Sequence, residues 1–462
     1  MKASEELSLI KHNYCIGCGV CTTTKASWIQ LDKYGKYKIE YDQLNQSSAE
    51  DILDICPFSS YADNEDHSAK KLFPANNYKK TDSIGYYLTN YVGYVLDESI
   101  RSSSSSGGII TWLLTKLLSN GDITYAVHVG ESDKESLLFN YQISKDKESI
   151  IAGASSRYYP VEMSSVLNFI KQNDGKYAIV ALPCFAKGLR LLQQKDEIFK
   201  KRIKYIISPI CGHLKTTNYA AFLAWQKGVP PSRLHSINFR KKIPGKLASQ
   251  YGTKFFTKHN DSIESFSVGN STFKMGTDWG HGMFKYPACD FCDDVVGELA
   301  DVSVGDAWLD NYVNDYKGNS IIIVRNENIN GLLNSTASKD EINIEEIPLE
   351  LVEKSQAGGI RNKKDDLKYR LWLKEKENKW HPPKRVSASE SAVNSNRKKI
   401  IEMRLLISQY SHELFIDAQQ RNNIRFFYRK MNPFLNRYYI INYGVFRFLK
   451  HKIKKILWKL VY

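Results

Sequence analysis

Eight cysteines carry most of the chemistry this chain can do, and their spacing sorts them into groups. The stretch "CIGCGVC" places Cys15, Cys18 and Cys21 within seven residues, and Cys56 follows far downstream in the dipeptide "CP". Three thiolates in a CxxCxxC loop wrap one side of a 4Fe-4S cube, and Gly17 and Gly19 let backbone amides turn toward its sulfides. Thr22 to Lys25 supply no nearer fourth thiol, so Cys56 is the expected fourth ligand. Structural zinc is the competing reading, but zinc usually takes two separated CxxC knuckles.

The remaining four are Cys184, Cys211, Cys289 and Cys292. "YAIVALPC" and "KYIISPIC" each read as a buried strand that ends in a cysteine. In a parallel sheet such ends share one edge, where open α/β sheets place their ligands. "YPACDFCDD" supplies the CxxC pair Cys289 and Cys292. A division into four plus four, with none left over, argues for a second 4Fe-4S site. Zinc there, or no metal and four core cysteines, are the alternatives.

Other stretches speak less directly. "RSSSSSGGIITWLL" runs straight into an apolar helix, and Ser105, Ser106, Gly107 and Gly108 would offer free amides and hydroxyls at its N-terminus. Such a loop can hold phosphate, including the pyrophosphate of FAD, although taken alone the composition reads first as a linker or a simple cap. It is not the GxGxxG fingerprint. "FRKKIPGK" is a basic hairpin facing an anion or solvent. "ADVSVGDAW" places Asp301 and Asp306 around a buried strand, to reach a cofactor or to cap a turn. His213, beside Cys211, could donate a hydrogen bond near the second site or be a turn residue with no role.

The elements that must position these residues follow from pattern. The chain has 462 residues with 42% hydrophobic and 12% aromatic content, which is globular and long enough for two to four domains. The expected architecture is mixed α+β and α/β. Residues 1–62 form a ferredoxin-type 4Fe-4S unit, with a hairpin around "KYGK" and a helix in "SSAEDILDIC" capped by Ser48. Residues 63–84 are an irregular connector. Residues 85–345 form a flavin and iron-sulfur domain in which short apolar strands alternate with helices, arguing for a mainly parallel sheet. Its portion from about 234 to 325 is β-rich. Residues 346–398 read as a linker, and 399–462 as a basic helical tail.

"MKASEELSLIKHNYC" contains no apolar run, so no secretory signal is expected, and no stretch is long and apolar enough to span a membrane. The expected address is the cytoplasm, where disulfides are the poor reading of eight cysteines. The formal charge is +15, and from Arg421 onward there are eleven Lys or Arg and no Asp or Glu. Val445, Phe448, Leu449, Ile453, Ile456, Leu457 and Leu460 recur at helical spacing among these cations. That pattern suits a peripheral contact with an anionic membrane face, a partner, or packing on the protein itself, and no nucleic acid is expected.

Taken in order, "CIGCGVC…CP", "SSSGGIIT", "ALPCFAKGLR", "SPICG", "NFRKK" and "YPACDFC…ELADVSVGDAW" resemble the coenzyme F420 hydrogenase/dehydrogenase beta-subunit family over roughly residues 10 to 330. The similarity is strongest to its two-cluster branch, which includes a plant chlorophyll reductase. The resemblance implies two 4Fe-4S clusters and FAD. Cys15, Cys18, Cys21 and Cys56 would hold the first cluster, and Cys184, Cys211, Cys289 and Cys292 the second. Ser105, Ser106, Gly107 and Gly108 match the flavin-side loop, with Lys187 nearby. "ASSRYYP" departs from the family pattern at Arg157 and Tyr158. The implied function is an oxidoreductase that takes electrons from a ferredoxin-like donor or redox partner subunit and passes them to an unknown organic substrate. Relatives occur in polysaccharide biosynthesis. A non-catalytic electron-transfer subunit and a metal-stabilised scaffold are the other readings.

Overall fold

The computed structural model describes residues 1–450 other than 75, 76, 135, 260 and 261. An eight-stranded sheet forms its centre. Across it the strands run Ile342–Glu346, Thr89–Val95, Ser320–Val324, Val302–Asp306, Ile203–Pro209, Tyr177–Val180, Tyr125–Glu131, Phe139–Ser144. The four strands from Val302–Asp306 to Tyr125–Glu131 are mutually parallel, and every other pairing is antiparallel. The mainly parallel sheet expected from the sequence is therefore a parallel centre with antiparallel wings. The loop from Glu131 to Phe139 is too short for a crossover, so it returns its strand antiparallel.

The β-rich portion splits in two. Leu234–Lys241, Gly252–His259 and Ser262–Gly269 make a separate three-stranded antiparallel sheet. Val302–Asp306 and Ser320–Val324 instead join the central sheet, where the apolar run Ile321–Val324 is covered on both sides. Helices Ile109–Ser119, Ser164–Gln172, Pro183–Lys195 and Thr217–Trp225 stand where apolar periodicity places them.

At the N-terminus, helix Ala3–Leu9, hairpin Trp28–Leu31/Tyr37–Glu40 and helix Gln46–Asp54 enclose a small core of Leu7, Ile10, Ile39, Ile52 and Leu53. The cap of the last helix is Asn45, not Ser48. Asn45 is extended and accepts from Ser48 N–H at 2.8 Å, so the helix begins two residues before the expected cap.

Two stretches expected to be irregular are ordered, and the basic helical tail packs on the protein itself over its described helices. Residues 63–84 contain helix Glu65–Leu72, capped by Asn64, and strand Lys79–Thr81. Residues 346–398 contain helices Leu349–Lys363 and Asp365–Lys376. Their apolar stripe is thin, and Lys363, Asp366 and Arg370 lie on the buried face, so the periodicity is masked by charge. The helical hairpin Ser395–Gln420/Ile424–Tyr443 packs on the core through Phe415, Phe427 and Met431, which meet Phe222 and Phe284. Arg397 and Arg404 turn inward to the buried Asp366, while Arg421, Arg425, Arg429 and Lys430 are exposed. Val445 and Leu449 are exposed, while Ile453, Ile456, Leu457 and Leu460 lie outside the described residues.

Candidate redox sites

Cys15, Cys18, Cys21 and Cys56 line one apolar cavity together with Ile16, Gly17, Gly19 and Phe58. Gly17 and Gly19 are left-handed, at φ 67 and 83. A Cβ on Gly17 would lie 2.5 Å from the Tyr37 carbonyl oxygen, and one on Gly19 2.8 Å from Met163 N. Only glycine lets the loop turn this tightly. Ile39 N–H donates to Cys15 Sγ at 3.3 Å. Burial pushes the Cys56 thiol up to about 12, and raises Cys15, Cys18 and Cys21 as well. Bare thiolates are thus disfavoured, and a bound cationic centre would offset that cost.

The second set also converges. Cys211 follows strand Ile203–Pro209, and the parallel strand Tyr177–Val180 leads to Cys184. Cys184 sits in the first turn of helix Pro183–Lys195, which Pro183 opens. Cys289 lies on the short helix Pro287–Phe291 and Cys292 just beyond it. All four line one cavity with Ile16, Phe58, Leu182, His213, Leu214 and Lys363. Leu214 N–H donates to Cys289 Sγ at 3.3 Å, and Lys363 Nζ donates to Cys292 Sγ at 3.3 Å and to the Asp294 carbonyl at 2.7 Å. Burial pushes Cys211 up to about 11 and Cys289 to about 12, while Lys363 pulls both back. Four thiols per cavity, with no carboxylate in either lining, suit an iron-sulfur centre.

A third cavity of about 300 Å³ opens beside the second. Ser104, Ser105, Ser106 and Gly108 line one end, where helix Ile109–Ser119 begins. Gly107 is turned away: a Cβ there would lie 2.5 Å from the Gly93 carbonyl oxygen. The loop is heavily braced. Ser105 Oγ accepts from Ser156 N–H at 2.7 Å and lies 3.1 Å from Ser155 Oγ. Ser106 Oγ donates to Asn319 O at 2.7 Å. Arg240 grips Asp306, reaches the Ser105 carbonyl at 3.3 Å and the Tyr158 hydroxyl at 3.3 Å.

The other end is built from Cys211 to Lys215 and Trp279. Lys215 is fully buried. Its ammonium donates to Met283 O at 2.6 Å and lies 4.7 Å from the Tyr219 ring and 4.8 Å from Trp279. Burial, then Lys285, pushes its pKa down to about 7. Among the described lining residues Asp306 is the one carboxylate, and Arg240 neutralises it. Ser104 Oγ, Arg157 Nε and His213 Nε2 are buried without a partner. These orphaned polar atoms and the surplus of cations fit an anionic, phosphate-bearing ligand such as FAD.

The three cavities share walls. Ile16 and Phe58 line both cysteine cavities, and Leu182, Cys211, His213 and Leu214 line both the second cysteine cavity and the large one. Lys187 is not among the residues around the large cavity. It points from helix Pro183–Lys195 to Glu65, at 3.4 Å. Asp301 is likewise structural, bonded to Arg190 and to Ile206 N–H. Lys215, Trp279, Arg240 and Lys363 were not singled out by motif. "NFRKK" contains Arg240, but no local pattern marks the other three.

Similarity to known proteins covers the central sheet. The N-terminal part of the family "Coenzyme F420 hydrogenase/dehydrogenase, beta subunit" matches residues 90–168, and the C-terminal part of the same family matches residues 174–350. Together they cover more than half of the chain. The coenzyme F420-dependent sulfite reductase of Methanocaldococcus jannaschii is 22% identical over 354 residues, which is 73% of this chain and 48% of that protein. The chain therefore spans about half the length of this relative. The coenzyme F420 hydrogenase subunit beta of Methanothermobacter thermautotrophicus is 24% identical over 253 residues, 52% of this chain and 81% of that one. A chain of the F420-reducing NiFe hydrogenase complex from Methanosarcina barkeri superposes with a TM-score of 0.49 at 17% identity, covering 66% of this chain and 99% of that chain.

Proposed function

Because the chain belongs to the coenzyme F420 hydrogenase/dehydrogenase beta-subunit family, a family of electron-transfer oxidoreductases, we propose that it is an iron-sulfur flavoprotein. Electrons would come from a ferredoxin-like donor or redox partner subunit and leave to an organic substrate. When bound, 4Fe-4S clusters supply one-electron steps and FAD supplies the pairing of two electrons into a hydride. Cys15, Cys18, Cys21 and Cys56 would hold the first cluster, and Cys184, Cys211, Cys289 and Cys292 the second. Ser104 to Ser106, the start of helix Ile109–Ser119 and Arg157 would hold flavin phosphate.

The observation that carries this reading is the shared walls of the three cavities. Ile16 and Phe58 line both cysteine sites with apolar side chains, and Leu182, Cys211, His213 and Leu214 line both the second site and the large cavity. The sites thus lie wall to wall. Coenzyme F420, named in both relatives, is the first compound to test as the two-electron partner. A sugar-linked substrate in polysaccharide biosynthesis rests on the family resemblance alone. A membrane contact of the basic tail rests on the exposed Val445, Phe446 and Leu449 and on charge.

Replacing Cys18 with Ala is expected to block reduction by a one-electron protein donor while bound flavin stays reducible by dithionite. Loss of the flavin in that variant would count against the proposed order. A second reading, a non-catalytic subunit whose partner does the chemistry, is favoured by the match to most of a hydrogenase beta subunit. Turnover of a substrate by the purified chain alone would exclude it.

A further inference from the structure

The two cysteine sites differ in the charge around them. Lys363 is buried and sends its ammonium to Cys292 Sγ at 3.3 Å and to the Asp294 carbonyl at 2.7 Å. No carboxylate forms an ion pair with it among the described residues. The Asp294 carboxylate is occupied by the N–H groups of Gly297 and Glu298, at 2.8 and 2.9 Å. Lys363 thus faces the second set of thiols with no ion-paired carboxylate, and those thiols act on it more strongly than Asp294 does.

At the first set each nearby cation has a carboxylate partner, Asp32 being shared with Lys36 and Glu65 with Arg385. Lys187, buried behind Cys56, is paired with Glu65 at 3.4 Å. Lys38, on the Cys15 side, is paired with Asp32 at 3.0 Å, and Lys11 with Glu40 at 2.6 Å. Among the described residues no ammonium or guanidinium donates to Cys15, Cys18, Cys21 or Cys56. Ile39 N–H donates to Cys15 Sγ in its place.

A cluster's potential follows its net charge, the hydrogen bonds to its sulfurs and its exposure to water. An uncompensated cation in a low-dielectric wall favours the more negative, reduced form of whatever the adjacent thiolates hold. We infer that Lys363 is a potential-setting residue, which makes the second cluster easier to reduce than the first and so biases one-electron transfer inward, toward the large cavity. In that step one electron leaves the centre held by Cys15, Cys18, Cys21 and Cys56 and is taken up by the centre held by Cys184, Cys211, Cys289 and Cys292. The inference rests on the two-cluster reading above. Lys363 lies beyond residue 350, where the family match ends, so this cation comes from the helical extension and not from the matched core.

The test is an EPR-monitored redox titration of the full chain, purified anaerobically, with iron and sulfide counted in each sample. Cys18→Ser and Cys292→Ser assign the two signals. Lys363→Gln keeps an N–H donor and removes the charge, Lys363→Met removes both, and Lys363→Arg keeps both. In Gln and Met the second centre is expected to become about tenfold harder to reduce at a fixed potential, a fall of about 59 mV for a one-electron couple. The first centre should not move, and Arg should restore the original value. Midpoints that stay put with about eight iron per chain overturn the assignment and leave the two-cluster reading intact. Loss of half the iron in all three variants makes Lys363 a structural residue and also overturns it. About four iron in the unaltered protein overturns the two-cluster reading itself, and the assignment with it.

Discussion

Arg240 holds Asp306 by both carboxylate oxygens, at 2.9 and 3.1 Å, and the same guanidinium reaches the Ser105 carbonyl. One largely buried ion pair thus ties the separate three-stranded sheet to the central sheet and the serine loop, behind the large cavity. Removing one partner of a buried pair leaves the other charge unpaired. Arg240→Met is expected to destabilise the protein by about 3 kcal/mol and to speed flavin loss. Thermal unfolding and the rate of flavin release on dilution measure the two effects. Arg240→Lys should recover little, because a point charge cannot span both oxygens and the Ser105 carbonyl. An unchanged release rate would mean that the serine loop does not depend on this brace.

Gly107→Ala tests the loop from the other side. The added Cβ would lie 2.5 Å from the Gly93 carbonyl and 2.8 Å from Ser320 Oγ, so the loop must shift. Flavin affinity is expected to fall at least about tenfold, equal to about 1.4 kcal/mol, with iron content unchanged. Fluorescence of released flavin beside an iron assay separates the outcomes.

The helical hairpin after residue 394 is part of the core, and one substitution shows how much it contributes. Phe415 is fully buried against Phe222, Phe284 and Phe427. Phe415→Ala should cost about 3 to 5 kcal/mol, read by denaturant titration. A detached tail would show almost no change.

His412, on the same hairpin, gives a pH signature. Its Nε2 lies 2.9 Å from the Lys285 carbonyl, and burial, then the charge of Lys36, pushes its pKa down to about 4. The unfolded imidazole titrates near 6.5. Between these values the unfolded chain binds a proton that the folded chain refuses, so stability falls as pH drops. The loss should approach about 1.4 kcal/mol per pH unit between about pH 6 and 5, before carboxylates join in. His412→Gln should remove that share of the slope and leave the share of His128, His213 and His281, which burial also holds below the ordinary value. An identical slope in the variant would show that His412 is solvated.

Much of the site is legible in the sequence because thiols carry their own spacing rule. Cys15, Cys18 and Cys21 announce a loop, and the strand ends at Cys184 and Cys211 announce a shared edge. The structure brings all four members of each set to one cavity. Lys363 could not be found this way. It sits in a charged helix that reads as linker text, and its role depends on which face of that helix meets Cys292. Arg240 and Lys215 are similar, since a buried cation looks like any surface cation until the walls around it are known. Boundaries failed for local reasons, such as Asn45 capping ahead of Ser48. Lys187 failed because proximity in sequence to "PCFA" placed it on the face of its helix that meets Glu65.

The most direct measurement is the composition of the anaerobically purified chain, alone and as Cys292→Ala. The two-cluster reading predicts about eight iron, eight sulfide and one FAD per chain, falling to about four iron and four sulfide with the flavin retained in the variant. Unaltered protein with zinc in place of iron, or with an iron content that Cys292→Ala leaves unchanged, would contradict it.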